Sequence, residues 1–163
     1  MVVILMGAAG SGKTTVGRAL AADVRWAYVE GDEHHPARNI EKMHAGIPLT
    51  DEDRRPWLAA LHALIARALD RREHGVMACS ALKRAYRDML RGNCHPVRFV
   101  YLQAPERELL RRLSTRAGHF AGPNLLETQL AALEPPSPDE ALVVDATRPP
   151  ERIVREVRME FGL

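Results

Sequence analysis

Gly7-Ala8-Ala9-Gly10-Ser11-Gly12-Lys13-Thr14 decides how the rest of this chain is read. It matches G-x-x-x-x-G-K-[ST] in full, and it stands in the context the pattern requires. Val2 to Met6 before it reads as a buried strand. Thr14 to Ala22 after it reads as a helix, with Val16, Ala19 and Leu20 on one face. In that setting glycines let the backbone wrap closely around phosphate oxygens. The backbone N–H groups and the helix N-terminus point positive dipole at the anion. Lys13 is expected to reach the β- and γ-phosphates of ATP, and Thr14 to ligate Mg²⁺. Gly7, Ala8, Ala9, Gly10, Ser11, Gly12 and Thr15 complete the expected phosphate-side set. The plainer alternative, a glycine-rich turn that only joins strand to helix, fits the complete pattern and its context poorly.

Outward from this cradle, short apolar runs alternate with longer helical patterns. Strands are expected at Trp26 to Val29, Val76 to Cys79, Val97 to Leu102 and Leu142 to Val144. Helices are expected from Pro36 to His44, from Leu82 to Leu90, from Pro105 to Arg116, from Leu125 to Leu133 and from Pro150 to Phe161. A further long helix opens at Thr50-Asp51-Glu52-Asp53, an N-terminal capping arrangement with acids in the first turn. This alternation predicts an α/β fold: a five-stranded parallel sheet covered by helices on both faces. One domain spans 1–163, with a mobile lid at about 112–124.

The composition agrees. The 163 residues are 46% hydrophobic and 27% charged, ordinary for a globular protein. A net charge of +2 on a chain with 5% aromatics argues against a nucleic-acid partner. Cys79 and Cys94 form neither a metal spacing nor a disulfide framework, which suits a reducing cytoplasm. Val2 to Met6 is too short for a secretion signal, and no stretch approaches the ~18 apolar residues of a membrane span. No Asn-Lys-x-Asp for guanine is present, and the chain is short for a motor ATPase. A nucleoside-monophosphate-kinase-like core is expected.

Candidate residues for a phosphate acceptor sit after the other strands, where open α/β sheets bind ligands. Gly31-Asp32-Glu33-His34-His35-Pro36 follows the second strand. Asp32 is placed to take the proton of an attacking hydroxyl, or to cap the next helix. His35 suits a hydrogen bond to substrate; adjacent His34 and His35 make a poor metal pair. Arg54 offers a planar fork for a carboxylate, or lies on a solvated helix face. Lys83 and Arg87, four apart on a helix, either form an anion site or carry surface charge paired with Asp88. Cys79 reads as packing. Arg112 and Arg116 lead into Gly118-His119-Phe120, which suits a lid and a cis-acting arginine, or are ordinary surface arginines. Val143 to Pro149, including Thr147, offers a backbone shelf for adenine.

Taken together these blocks resemble the gluconokinase family, within the shikimate-kinase-like P-loop group. The resemblance runs through Gly31-Asp32, His35-Pro36, Asn39, Lys42-Met43 and Gly46-Ile47-Pro48-Leu49. It continues through Asp53-Arg54, Pro56-Trp57, Cys79-Ser80-Ala81-Leu82-Lys83 and Tyr86-Arg87-Asp88. It closes with Arg116, Gly118-His119-Phe120, Leu125-Leu126, Gln129 and Leu133-Glu134. It implies transfer of the ATP γ-phosphate to the 6-hydroxyl of D-gluconate, with ATP and Mg²⁺ as cofactors. Lys13, Asp32 and Arg116 are then the catalytic group, and Asp32, His35, Arg54, Lys83 and Arg87 face the acceptor. Arg112 joins the ATP side. The resemblance further implies a cytoplasmic enzyme and a possible homodimer.

Two features depart from the family pattern. No Asp ends the third strand, so Ser80, Asp32 or water takes the place of a second Mg²⁺ anchor. Ala121-Gly122-Pro123-Asn124 does not follow the family loop. Two other readings stand beside this one: a kinase for another hydroxy acid such as shikimate, and a module that senses ATP without turnover.

Overall fold

The five expected strands form and lie parallel: β1 (Val2–Met6), β2 (Ala27–Glu30), β3 (Gly75–Ala78), β4 (Val97–Gln103) and β5 (Ala141–Asp145). The computed structural model describes residues 1–94, 96–115 and 123–163. Strand order is β2-β3-β1-β4-β5. Val2 of β1 pairs with Gly75 on one side and Val97 on the other. All five residues of β1 are buried, which explains its unbroken apolar run: both faces of a parallel sheet are covered. Side chains alternate across it. Val2, Ile4 and Met6 join one core, while Val3 and Leu5 join the other.

The helices divide accordingly. On the first face α3 (Asp51–Asp70) lays down Trp57, Leu58, Leu61 and Ile65, and α4 (Arg84–Arg91) adds Tyr86 and Leu90. On the second, α1 (Lys13–Val24) buries Val16, Leu20 and Ala21 against Ile153, Val154 and Val157 of α7 (Pro150–Phe161). The remaining helices are α2 (Ala37–His44), α5 (Glu106–Ser114) and α6 (Pro123–Ala132). Leu126 of α6 and Leu109 of α5 close over Ala8 of the glycine-rich loop. Among the described residues no helix is long and apolar enough to cross a membrane.

The N-terminus of α3 forms as its sequence suggests. The Thr50 hydroxyl accepts from the Asp53 N–H at 3.2 Å, and the Asp53 carboxylate accepts from the Thr50 N–H at 3.0 Å. The start of α4 differs from the sequence reading by two residues. Ala81 is left-handed, with φ of 44°, so a helix expected from Leu82 begins only at Arg84.

With β3 between β1 and β2, the loops that leave these three strands lie side by side. The Gly7 N–H donates to the Ser80 carbonyl at 3.2 Å, joining the loop after β1 to the loop after β3. Gly31 is required where β2 ends, because a Cβ there would stand 2.5 Å from the Ala78 carbonyl oxygen.

Candidate active site

On one side of the cleft is the Gly7 to Thr14 loop. Gly7 has φ of 141°, and a Cβ on it would lie 2.9 Å from both the Leu102 carbonyl oxygen and the Ser11 hydroxyl. The loop turns back so that the Lys13 ammonium donates to the Gly7 and Ala8 carbonyls, each at 3.0 Å. Gly12, at φ of 97°, opens α1 with no side-chain cap and no acid in the first turn. The first N–H groups of that helix therefore point outward as an anion cradle. Thr15 lies exposed in the same turn. The Ser11 hydroxyl is buried and has no hydrogen-bond partner among the described residues.

Arg112 borders this loop from α5. It donates to Glu108 at 2.7 Å, to the Ala146 carbonyl at 2.7 Å and to the Gly10 carbonyl at 3.4 Å. One side chain thus links the phosphate loop to the segment after β5. Hydrogen bonds from Arg111 and then Arg112 hold the Glu108 carboxyl down to about 2. Thr147, on that segment, turns its N–H and hydroxyl onto Asp145 at 2.9 and 2.7 Å. Arg116, Gly118-His119-Phe120 and most of the expected lid lie outside the described residues.

Glu30, which the sequence reading did not single out, closes β2 beside the loop. Its carboxylate accepts from the Thr14 hydroxyl at 2.9 Å and from the Tyr28 hydroxyl at 2.7 Å. Burial first, and then the Glu30 carboxylate, push the Tyr28 phenol well above its ordinary value. The available signal was a single acid ending a strand whose neighbours are apolar.

Opposite the cradle, Asp32 sits exposed in a 3-10 turn over Gly31–His34. The Trp57 indole N–H donates to the Gly31 carbonyl at 2.8 Å, so α3 anchors that turn. Cys79, buried just past β3, reports what surrounds it. Burial pushes its thiol up to about 12, the Asp32 charge pushes the same way, and Lys13 and Arg54 pull against them. The loop after β1, the turn after β2 and the start of α3 thus meet around the end of β3.

Arg54 holds its guanidinium 6.0 Å from the centre of the Tyr86 ring. Among the described residues its side chain makes no hydrogen bond or ion pair. His35 is buried and stacks on Trp57 at 4.1 Å and 16°. Burial, and then the Arg54 charge, lower its pKa to about 4, so the imidazole is neutral. Asn39 lies 3.3 Å from His35 Nδ1 and donates to the Asp53 carbonyl at 2.8 Å. Lys42 reaches both Asp53 carboxylate oxygens, at 2.7 and 2.8 Å. Together Asn39 and Lys42 fasten α2 to the start of α3.

The expected pairing of Lys83 with Arg87 needs correction. Lys83 caps α4 and binds both Asp51 oxygens at 2.8 Å. Arg87 turns inward. It is 1% exposed and holds Glu140 at 2.6 and 3.1 Å, with further bonds to the Ala81, Leu82 and Glu134 carbonyls. Those acceptors occupy its fork, so Arg87 ties the β3–α4 loop to the chain before β5 and is not open to an acceptor. Asp88, the other expected partner, plays no part in this network.

Strand order, glycine-rich cradle and uncapped α1 define a P-loop nucleotide-binding protein. The AAA domain family model matches residues 2–136. The chain is 43% identical to the gluconokinase of Gluconobacter oxydans over 160 residues, which is 98% of this chain and 90% of that protein. It is 45% identical to the thermosensitive gluconokinase of Escherichia coli over 141 residues, covering 86% of this chain and 75% of that one. The crystal structure of a gluconokinase from Sinorhizobium meliloti superimposes with a TM-score of 0.85 at 46% identity, covering 95% and 87% of the two chains. The chain belongs to the AAA domain family and, within it, to the gluconokinases.

Proposed function

We propose that this chain phosphorylates D-gluconate, moving the γ-phosphate of ATP to the 6-hydroxyl and releasing 6-phospho-D-gluconate and ADP. The observation that carries the chemistry is the placing of the Lys13 loop and the Asp32 turn on either side of β3, the first bonded to the Ser80 carbonyl through the Gly7 N–H and the second to Trp57 of α3, the helix that bears Arg54. It sets a phosphate-side cation against an acceptor-side carboxylate and an acceptor-side cation. Gluconokinase relatives along nearly the whole chain support the choice of acceptor.

ATP places its phosphates in the Gly7 to Thr14 cradle, against the open N–H groups of α1, with its base toward the Thr147 segment. Gluconate lies on the facing side, between the Asp32 turn and α3. Arg54 takes its carboxylate through the planar fork. Neutral His35 meets its hydroxyls, and Lys83, held by Asp51 at the start of α4, borders the acceptor. The 6-hydroxyl, at the far end of the acid, then faces the γ-phosphate. Asp32 accepts its proton as the oxygen attacks phosphorus. The bond to the β-phosphate oxygen breaks, and the charge left on ADP faces the Lys13 ammonium.

Mg²⁺ fits the donors present, since the Thr14 hydroxyl and the Glu30 carboxylate meet at 2.9 Å and this ion selects hard oxygen. Thr14 and Glu30 would hold it, and it would neutralise charge on the phosphate oxygens. Both cysteines are free thiols, in keeping with the cytoplasm. A homodimer, which the family resemblance allows, is tested by the mass in solution.

Incubation with Mg·ATP and gluconate, followed by ³¹P–¹H correlation of the product, tests the reaction. A phosphomonoester on carbon 6 is expected. An ester on another carbon, or hydrolysis of ATP with gluconate unchanged, contradicts the proposal.

A further inference from the structure

One hydrogen bond reaches the phosphate loop from far along the chain. Gln129 of α6 extends its amide oxygen to the Ala9 N–H at 2.6 Å, across 120 residues. Because the partner is an N–H donor, the acceptor end of the amide is fixed. Ala9 shares its peptide unit with the Ala8 carbonyl, and that carbonyl accepts from the Lys13 ammonium at 3.0 Å and from the Ser11 N–H at 3.2 Å. A peptide unit is planar, so its two ends cannot turn independently. Gln129 holds the N–H end while Lys13 bonds the C=O end. Donation from the N–H also polarises the carbonyl and strengthens its hold on the ammonium. The helix behind Gln129 is itself fastened, since Leu126 and Leu130 on the same face pack against Ala8 and Leu109.

We propose that Gln129 is a positioning residue for phosphoryl transfer, setting the Lys13 ammonium through the Ala8–Ala9 peptide. The proposal rests on the reading of Lys13 as the phosphate-side cation. It gives α6 a part in the reaction beyond covering the loop. A role confined to satisfying a buried N–H would change stability and leave turnover alone.

A double-mutant cycle on the full chain separates the two roles. Gln129→Met keeps the length of the side chain and removes the acceptor. In the wild-type background it is expected to lower kcat about tenfold, the scale of one hydrogen bond acting on a charged group, with KM for gluconate within about twofold. In the Lys13→Met background the same change is expected to alter residual turnover by less than about twofold, because the group it acts through is gone. Should Gln129→Met not fold, Gln129→Ser carries the same cycle. An equal loss in both backgrounds, or an unchanged kcat in the wild-type background, overturns the proposal. Near-normal turnover by Lys13→Met alone would instead overturn the underlying reading of Lys13.

Discussion

The two sides of the cleft are built differently. The phosphate side is centred on one unbroken stretch of chain, braced by Arg112 of α5 and Gln129 of α6, and its donors are largely backbone N–H groups at the start of α1. The acceptor side is gathered from the 3-10 turn after β2, the first turns of α3 and the loop after β3. Its side chains are held by partners far away in sequence. Trp57 anchors the Asp32 turn, Asp51 holds Lys83, and Glu140 holds Arg87. A phosphate group is the same in every substrate of such enzymes, so a contiguous backbone device suffices for it. An acceptor must be told apart from others, and that task falls to side chains placed one by one.

Substitutions on the acceptor side should therefore separate chemistry, scaffold and recognition. The largest effect is expected from Asp32→Asn. Loss of a general base lowers kcat by about 10²–10⁴, while ATP affinity, held by the other side, stays near wild type. Steady-state kinetics with ATP titration checks this, and near-normal turnover would remove Asp32 from the mechanism. Next comes Arg87→Met, which leaves Glu140 without its cation and is expected to cost roughly 3–5 kcal/mol in urea unfolding. Below the melting transition KM for gluconate should hold. A raised KM with unchanged stability would return Arg87 to the acceptor site.

Arg54→Leu is expected to raise KM for gluconate roughly 10- to 100-fold, the loss of a charged hydrogen-bonding pair, with little change in KM for ATP. If ATP affinity falls instead, Arg54 serves the phosphate side. The last effect is confined to acid conditions and lies in pH dependence. The folded His35 pKa of about 4 lies below the usual 6.5, so the unfolded chain binds more protons between these values. Its contribution to stability is complete above pH 6.5 and is lost on acidification toward pH 4, with a limiting slope of about 1.4 kcal/mol per pH unit. Unfolding of His35→Phe across that window should show a shallower decline than wild type; parallel curves would mean that His35 is not held neutral.

The same contrast explains what the sequence revealed. Gly7 to Thr14 is legible because its function needs only local spacing, and β1 is legible because burial on both faces demands five apolar residues in a row. The capping box at Thr50 and Asp53 is likewise local. Arg87 was misread because spacing places it on one face with Lys83, whereas burial and Glu140, 53 residues away, turn it inward. The late start of α4 has a related origin: Ala81 takes a left-handed backbone while its carbonyl bonds Arg87. Glu30 is not singled out by the sequence, and Gln129 enters only through the family resemblance without a role, because each draws its importance from a partner, Thr14 or Ala9, that lies elsewhere in the chain.

A cradle shared with many enzymes faces an acceptor side that selects a sugar acid. ADP release with Mg·ATP, measured against gluconate, shikimate, glucose, other aldonates and AMP, tests this most directly. Turnover with gluconate far above every other acceptor is the predicted result; preference for shikimate or AMP, or silence across all of them, would contradict it.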